Sequence, residues 1–189
     1  MPQDNTSWIK GAKAAPSKEE HRLIVSHPQE VQSFLDSTHE NKGASMFLHN
    51  MKMVNYGDKM NIVGKEPSRI TKQPVKTSYV DVDSPSPKLS AQQFASHFLD
   101  MKKHAQTTRG TTAKSALIGS WIDTRSPEKT RKGVQMDFSS GYSSRRTAEK
   151  KMVDREEDAI VDASKGFQEI FNEDVRHKYT NTPRPKKED

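Results

Sequence analysis

Large apolar side chains are confined to a few short clusters, and this limits what the chain can fold into. The densest cluster lies within residues 42–60 and consists of Phe47, Leu48, Met51, Met53, Val54 and Tyr56. Hydrophobic residues make up 31% of the chain, against roughly 45% in a typical globular domain. Burial contributes only about 25 cal/mol per Å², whereas ordering the backbone costs roughly 1–2 kcal/mol per residue. We therefore expect much of the chain to depend on a partner for its order.

The fold class predicted from this pattern is mainly α with long irregular segments. The chain is expected to be extended and non-globular, with several short helices and linkers ordered on a partner. The predicted divisions are an N-terminal arm at 1–25, a helical anchor region at 26–60, a Pro-rich extended linker at 61–89, an amphipathic helix at 90–106, a basic Ser/Thr/Gly-rich segment at 107–146, an acidic C-terminal helix at 147–179 and a flexible tail at 180–189.

Helix signals are clearest at two places. Ser26 is placed as an N-cap before Pro28, and the apolar side chains of Val31, Phe34 and Leu35 then recur at helical spacing. The pattern continues beyond Gly43 to Gly57, which predicts either two short helices or one helix kinked near residue 43. A second signal lies at 90–93, where Ser and Gln have the spacing of a capping box and predict a helix over about 91–106.

Two further segments have a recognisable pattern. Residues 147–178 show short heptad-like seams, which predict a last helix with a possible break at Gly166. Residues 77–82 alternate like a strand. We expect the latter to be an extended segment on a partner, or a linker, rather than part of an internal sheet.

The charge balance points to an acidic partner. The net charge is +6 and the sequence pI is about 9.4, which suits a nucleic acid, an acidic filament or an anionic membrane. The chain has no cysteine, so disulfides and Cys-based metal sites are excluded. No apolar run reaches the ~20 residues of a membrane span, and the first residues lack the apolar region of a secretory signal. A cytoplasmic location without membrane binding is therefore expected.

The sequence contains no pattern that predicts catalysis. It has no Walker loop, GxGxxG or HExxH motif, and its seven histidines are scattered. The acidic residues at 154–158 are interpreted as a solvated helix face. The basic segment at 129–146 fits either phosphate binding or a solvated linker. We therefore expect a protein that is not an enzyme and that uses no cofactor or metal.

Apolar anchors and flanking cations are the candidate binding residues. The Met-rich cluster fits a core or a docking surface, and docking is favoured because the chain offers little else to cover it. The predicted partner-binding residues are Trp8, Phe47, Leu48, Met51, Tyr56, Phe94, Phe98, Met101, Trp121, Arg131, Lys132, Arg145 and Arg146. Proline follows four candidate phosphorylation sites, which are Ser84, Ser86, Ser126 and Thr182.

The stretch KGASMF at 42–47, followed by Met51 or Met53 and then Tyr56, resembles a cassette of synaptopodin-class sarcomeric proteins. His49 and Lys52 only partly supply the basic residues that this cassette carries between Phe and Met. The size, basic charge and lack of cysteine are also similar to the myofilin family of insect-muscle thick-filament proteins. The resemblance implies a sarcomeric location and binding to the acidic coiled-coil rods of myosin.

Two functions remain open. The first is a non-enzymatic structural protein that binds along a cytoskeletal filament, with the myosin rods of a muscle thick filament as the expected partner. Other filament-associated proteins are further candidate partners. The alternative is a basic structural component of a ribonucleoprotein or other nucleic-acid assembly, and a regulatory adaptor with phosphorylated linkers is less favoured.

Overall fold

The computed structural model describes residues 16–64, 78–79, 89–107, 114–122, 134–157 and 159–180. Within these ranges the α-helices are α1 (Lys18–Ser26), α2 (Pro28–Glu40), α3 (Ala91–Thr107), α4 (Arg145–Arg155) and α5 (Asn172–Val175). The strands are β1 (Gly43–Phe47), β2 (Asn61–Gly64), β3 (Ser78–Tyr79), β4 (Ala116–Trp121), β5 (Gln135–Tyr142), β6 (Ala159–Asp162) and β7 (Gln168–Phe171). Short 3-10 turns follow at Ala163–Lys165 and Arg176–Lys178.

The strands form one antiparallel sheet in the order β1-β4-β5-β2-β6-β7. The short strand β3 pairs with the first residues of β5, on the edge that β2 occupies further along. Most neighbours are far apart in sequence, since β1 pairs with β4 and β2 pairs with β5. The sheet is therefore held by long-range pairing, which local sequence patterns do not encode.

The described helices lie on one face of the sheet. Helices α2 and α3 cover β1, β4 and β5, and bury a core that includes Val31, Phe34, Met46, Phe94, Phe98, Met101, Ile118, Met136 and Phe138. Helix α4 covers the other half and buries a smaller cluster of Val63, Ala148, Met152, Ile160, Ile170 and Val175. We call these two groups the aromatic core and the α4 core.

The predicted fold class is wrong. The described residues form a compact mixed α/β structure with a seven-stranded antiparallel sheet, not an extended, mainly helical chain. Low apolar content did not prevent this fold because the large apolar residues lie together, and small residues such as Ala116, Ser120 and Ser140 occupy buried strand positions. The buried hydroxyls include Thr38 and Ser120, whose oxygen atoms lie 2.6 Å apart, so burial leaves this pair hydrogen-bonded.

Two helices agree with their sequence signals. Helix α2 begins at Pro28 and buries the side chains of Val31, Phe34, Leu35 and Thr38. Before α3, the Ser90 amide donates to Gln93 Oε1, and the Gln93 amide donates to Ser90 Oγ. This reciprocal pair is the expected capping box. Ser26, by contrast, is the last residue of α1 rather than an N-cap.

The stretch at 42–60 is not helical, so the predicted stripe of Phe47, Leu48 and Met51 does not exist. Residues 43–47 form the edge strand β1, the chain turns at 48–51, and Met53 then bridges back to Met46. Leu48 and Met51 join the aromatic core, whereas Phe47 packs on the opposite face of the sheet. The burial of side chains on both faces of this edge strand outweighs the helical spacing of apolar residues in the local sequence.

The predicted helix at 147–179 is also wrong beyond its first turns. Helix α4 ends at Arg155, where Glu156 adopts a left-handed conformation with φ 57°. The chain then forms β6 and β7, whose apolar residues Ile160 and Ile170 face each other. The residues of the apparent heptad seams do not share one surface, because Ile160 and Ile170 are buried in the α4 core, whereas Ala163 is buried in another cluster and Phe167 is 40% exposed.

Strands also occupy segments that were expected to be irregular. Strands β4 and β5 lie at the centre of the sheet, within the segment at 107–146. Ser78 pairs with Met136, so residues 78–79 belong to the internal sheet and need no partner chain. Strand β4 is buried on both faces, which explains why its sequence shows no clear alternation.

Candidate functional site

Several of the predicted binding and phosphorylation residues are not among the residues that the structure describes. Trp8, Arg131 and Lys132 lie outside the described residues, as do the four candidate phosphorylation sites Ser84, Ser86, Ser126 and Thr182. Their roles stay predictions from the sequence.

Most of the predicted apolar anchors lie inside the protein. The buried side chains are Leu48, Met51, Phe94, Phe98 and Met101, which are at most 5% exposed. The Phe34 and Phe94 rings lie with their centroids 4.7 Å apart, and the Phe94 and Phe98 rings 5.6 Å apart. These side chains form the aromatic core and offer a partner no surface in the folded chain.

Three predicted aromatic anchors retain exposed surface. Tyr56 is 78% exposed. Phe47 and Trp121 are half-buried on β1 and β4. Trp121 lines a cleft on the helix-free face of the sheet, whereas Phe47 packs beside Leu117 and Val54. Within the described residues, these three aromatic side chains therefore do not lie together on one surface.

The predicted cations Arg145 and Arg146 are exposed in the first turn of α4. Arg145 Nε donates to Glu149 Oε1 at 2.9 Å. Lys150 and Lys151 are exposed on the same helix. Helix α4 therefore presents a cationic outer surface above the α4 core.

Glu149 holds the C-terminal segment against α4. Its side chain is buried, and its Oε2 atom accepts a hydrogen bond of 2.7 Å from Tyr179 OH. Burial would raise the pKa of Glu149, but the hydrogen bonds from Arg145 and Tyr179 and the charge of Lys178 hold the pKa below its usual value. Burial and the Glu149 carboxylate together raise the pKa of Tyr179. These contacts hold the C-terminal segment on α4, and the Glu149 carboxylate stays ionised.

A groove of about 450 Å³ lies between α1 and α3 on the helical side of the molecule. Its apolar part is formed by Leu23 and Leu99, and its polar lining includes Glu19, Arg22, Lys102 and Lys103. Helix α1 begins with a capping box between Ser17 and Glu20, yet within the described structure none of its residues is buried. An isolated nine-residue helix is marginal in water, so α1 depends on its contacts with α3.

The charged residues that line this groove are mainly cationic. Arg22, Lys102 and Lys103 are exposed. Lys103 Nζ lies 3.8 Å from Glu19 Oε2, and both side chains are about 70% exposed, so this pair is worth little to stability. The combination of an apolar floor and a cationic rim suits an amphipathic segment with acidic flanks.

Sequence reasoning did not identify this groove. Lys102 and Lys103 lie near the end of the helix predicted over about 91–106, where cations are favourable in any helix. Residues 17–26 do carry a usable signal, because Ser17 and Glu20 have the spacing of a capping box. The position of α1 beside α3 is tertiary information.

The described structure shows no prepared metal centre. In these ranges no group of three or more His, Asp or Glu side chains is placed to hold a metal ion. Likewise, none of the described helices is long and apolar enough to cross a membrane.

Comparisons with known proteins return no match. No family model fits the sequence, and no curated protein and no solved structure is significantly similar to the chain.

Proposed function

We propose that the protein is a non-enzymatic binding protein that attaches to an acidic helical surface, such as that of a coiled-coil filament. The observation that supports this proposal is the α1–α3 groove, where Leu23 and Leu99 lie beneath Arg22 and Lys102. A helix with an apolar stripe and acidic flanks matches both features.

The contact energy would come from two sources. A partner helix would cover apolar surface on α1, which the described fold leaves without a buried residue. Each exposed ion pair contributes only about 0.2–1 kcal/mol, so charge would mainly set orientation and association rate. On a filament with repeating acidic sites, weak contacts gain from a high effective concentration.

The finer proposal names the filament as the myosin rods of a muscle thick filament, with a cytoplasmic, sarcomeric location. Its support is the resemblance at residues 42–56 and the net charge of +6. These residues form β1 and the turn after it, where Met46 and Leu48 are buried. The groove thus supports an acidic helical partner, whereas the choice of myosin is supported by the resemblance and the net charge.

A second candidate function has its own observation. The exposed cations Arg145, Arg146, Lys150 and Lys151 on α4 suit a polyanion such as RNA. This favours the ribonucleoprotein alternative, in which α4 would be the contact surface and the groove would not take part.

Matched charge reversals separate the two functions. One variant combines Arg22→Glu with Lys102→Glu in the groove, and the other combines Arg146→Glu with Lys150→Glu on α4. Both change the net charge by the same amount. Cosedimentation with purified myosin-rod filaments and anisotropy with double-stranded RNA are measured at the same salt concentration, after circular dichroism confirms that each variant is folded.

The groove variant is expected to lose filament binding by about tenfold or more, while the α4 variant retains it. Tight RNA binding that only the α4 variant loses, without filament binding by the native chain, would replace the first function with the second. Binding to an acidic coiled coil other than myosin would support the general proposal and contradict the assignment of myosin as the partner.

A further inference from the structure

The two outer edges of the sheet differ in how their backbone groups are used. At β1, the chain turns back and covers the outer side of the strand. Phe47 N donates to the Lys52 carbonyl at 2.9 Å, and Val54 N donates to the Ser45 carbonyl at 2.8 Å. Strand β7 lies at the other end of the strand order, and among the described residues its one neighbouring strand is β6. Within that part of the chain, β7 is therefore an open edge.

The hydrogen-bond pattern of the sheet fixes which backbone groups of β7 point outward. Ala163 N donates to the Met60 carbonyl at 2.9 Å. The next pair in register is Asn61 with Asp162, and in an antiparallel ladder this pair does not exchange hydrogen bonds. The backbone groups of Asp162 therefore point to β7, where Asp162 lies opposite Gln168.

Glu169 and Phe171 occupy the alternate positions of β7, so their backbone groups point away from β6. Phe171 is also the N-cap of α5, and its carbonyl accepts the first hydrogen bond of that helix. The Glu169 N–H, the Glu169 carbonyl and the Phe171 N–H make no hydrogen bond to another described residue. Glu169 is exposed and Phe171 is half-buried. Such a row of backbone groups is a template for another strand.

The segment around β7 carries opposite charges at its two ends. Lys165 precedes the strand, whereas Glu173 and Asp174 follow it in the first turn of α5. All three side chains are exposed, and none forms an ion pair with another residue in the described ranges. Antiparallel pairing of two such segments sets the cationic end of one beside the anionic end of the other. A second copy of this chain therefore complements the edge.

One antiparallel register of two β7 strands avoids like charges. If Glu169 lies opposite Glu169 of the second copy, two carboxylates face each other, which is destabilising. If Phe171 lies opposite Phe171 of the second copy, Glu169 lies opposite Glu173 of that copy, and acids again face each other. With Glu169 opposite Phe171 of the second copy, two equivalent pairs form about a two-fold axis at Ile170.

We propose that two copies of the chain associate through β7 and join their sheets in this antiparallel register. The Phe171 N–H of each copy donates to the Glu169 carbonyl of the other. The Glu169 N–H donates in return to the Phe171 carbonyl, which has a second lone pair beside its bond in α5. Lys165 of each copy lies near Asp174 of the other.

A two-fold contact of this kind is closed, so association stops at the dimer. Strand β7 has four residues, so the interface is small and forms at high protein concentration. The α1–α3 groove takes no part in this contact, and the dimer does not depend on the function proposed for the groove.

Two measurements on the full chain test the dimer. Sedimentation velocity from low micromolar to near-millimolar concentration measures association, and amide exchange followed by NMR locates it. We expect the mass to double, and the amides of Glu169 and Phe171 to gain protection over the same concentration range. The Ile170 amide, which bonds to β6, should be protected at every concentration.

Glu169→Pro tests the open edge. Proline removes an N–H that bonds to nothing in the single copy, and it blocks strand addition at this position. Association should weaken by at least about tenfold. Glu169→Ala keeps the backbone groups and should associate like the native chain. Circular dichroism checks that both variants are folded.

A charge exchange tests the orientation and leaves β7 unchanged. Lys165→Glu and Asp174→Lys should each weaken association about threefold to tenfold, because each variant brings like charges together at both ends of the contact. An equimolar mixture of the two variants should associate like the native chain, since opposite charges then face each other again. Lys150→Glu makes the same charge change on α4 and should have no effect.

Three outcomes would overturn the proposal. A monomer at every concentration, with fast exchange at Glu169 and Phe171, would leave the edge to a strand of another protein. Protection of these amides in the dilute monomer would show that another part of the same chain covers the edge. A dimer that Glu169→Pro does not weaken, or that the mixture of charge variants does not restore, would place the contact elsewhere.

Discussion

The two halves of the sheet are stabilised in different ways. The half formed by β1, β4 and β5 is covered by α2 and α3, and its interior contains three phenylalanines in contact. The half formed by β2, β6 and β7 is covered by α4, and its buried residues are Val, Ala, Met and Ile. Among the described residues, the buried phenylalanines, Phe34, Phe94, Phe98 and Phe138, thus all lie in one half of the sheet.

Hydrogen bonds stabilise the half of the sheet that α4 covers, which we call the α4 half. Arg155 donates to the Gly64 carbonyl at 2.9 Å and to Tyr142 OH at 2.8 Å. Asn172 Nδ2 donates to the Glu157 carbonyl at 2.7 Å. Hydrogen bonds from charged groups are the stronger kind, but each contributes less than the burial of a large ring. The aromatic core should therefore set global stability, and the α4 half should open first.

The largest loss is expected for Phe94→Ala. Phe94 is fully buried between Phe34 and Phe98, so the cavity and lost burial should lower the free energy of unfolding by about 3–5 kcal/mol. Guanidinium titration followed by circular dichroism measures this. Phe167→Ala, at a 40% exposed ring, is the control and should cost less than about 1 kcal/mol. Similar losses at both positions would contradict the assignment of the aromatic core.

A matched pair of methionines tests the difference between the halves directly. Met101 lies in the aromatic core and Met152 in the α4 core, and both are nearly fully buried. Each change to alanine should cost about 2–5 kcal/mol. Met101→Ala should reduce hydrogen-exchange protection throughout the sheet, whereas Met152→Ala should reduce it mainly in β6 and β7. Uniform loss in both variants would mean that the sheet opens as one unit.

A smaller effect is expected for Tyr179→Phe. This change removes the hydroxyl that donates to Glu149 Oε2, and for a partly exposed donor the loss should be about 1 kcal/mol. Exchange should increase within residues 172–180 and not in β4. Tyr56→Phe, at a 78% exposed side chain, is the matched control and should change nothing measurable.

The smallest effect is a pH dependence. Because the folded pKa of Glu149 is lowered, its stabilisation is fully present above the unfolded pKa of about 4.3 and is lost as the pH falls through the folded value. The stability advantage of the native chain over Glu149→Gln should therefore shrink below about pH 4. Thermal melts between pH 3 and 7 measure it, and a constant difference across this range would show that the carboxylate is not ionised in the cluster.

The candidate sites were less predictable than the helices. Lys102 and Lys103 were visible as cations of α3, but nothing local shows that Arg22 of α1 lies across a groove from them. The open edge at β7 depends on the strand order, in which β2 occupies one side of β6 and leaves β7 outermost. The pairing of β2 with β6 joins distant parts of the chain, and no motif encodes it.

The sequence by itself determined the local features of the helices. Pro28 and the spacing of Val31 to Thr38 specify α2, and the Ser90–Gln93 capping box specifies the start of α3, because these interactions join residues three or four positions apart. Tertiary structure alone decided the sheet. Met46 pairs with Ile118, and Val63 pairs with both Ser140 and Ile160. In the sheet, side chains are buried on both faces of the strands, and this burial outweighs the helical spacing of the local sequence. For this reason a chain with few apolar residues folds as a mixed α/β protein.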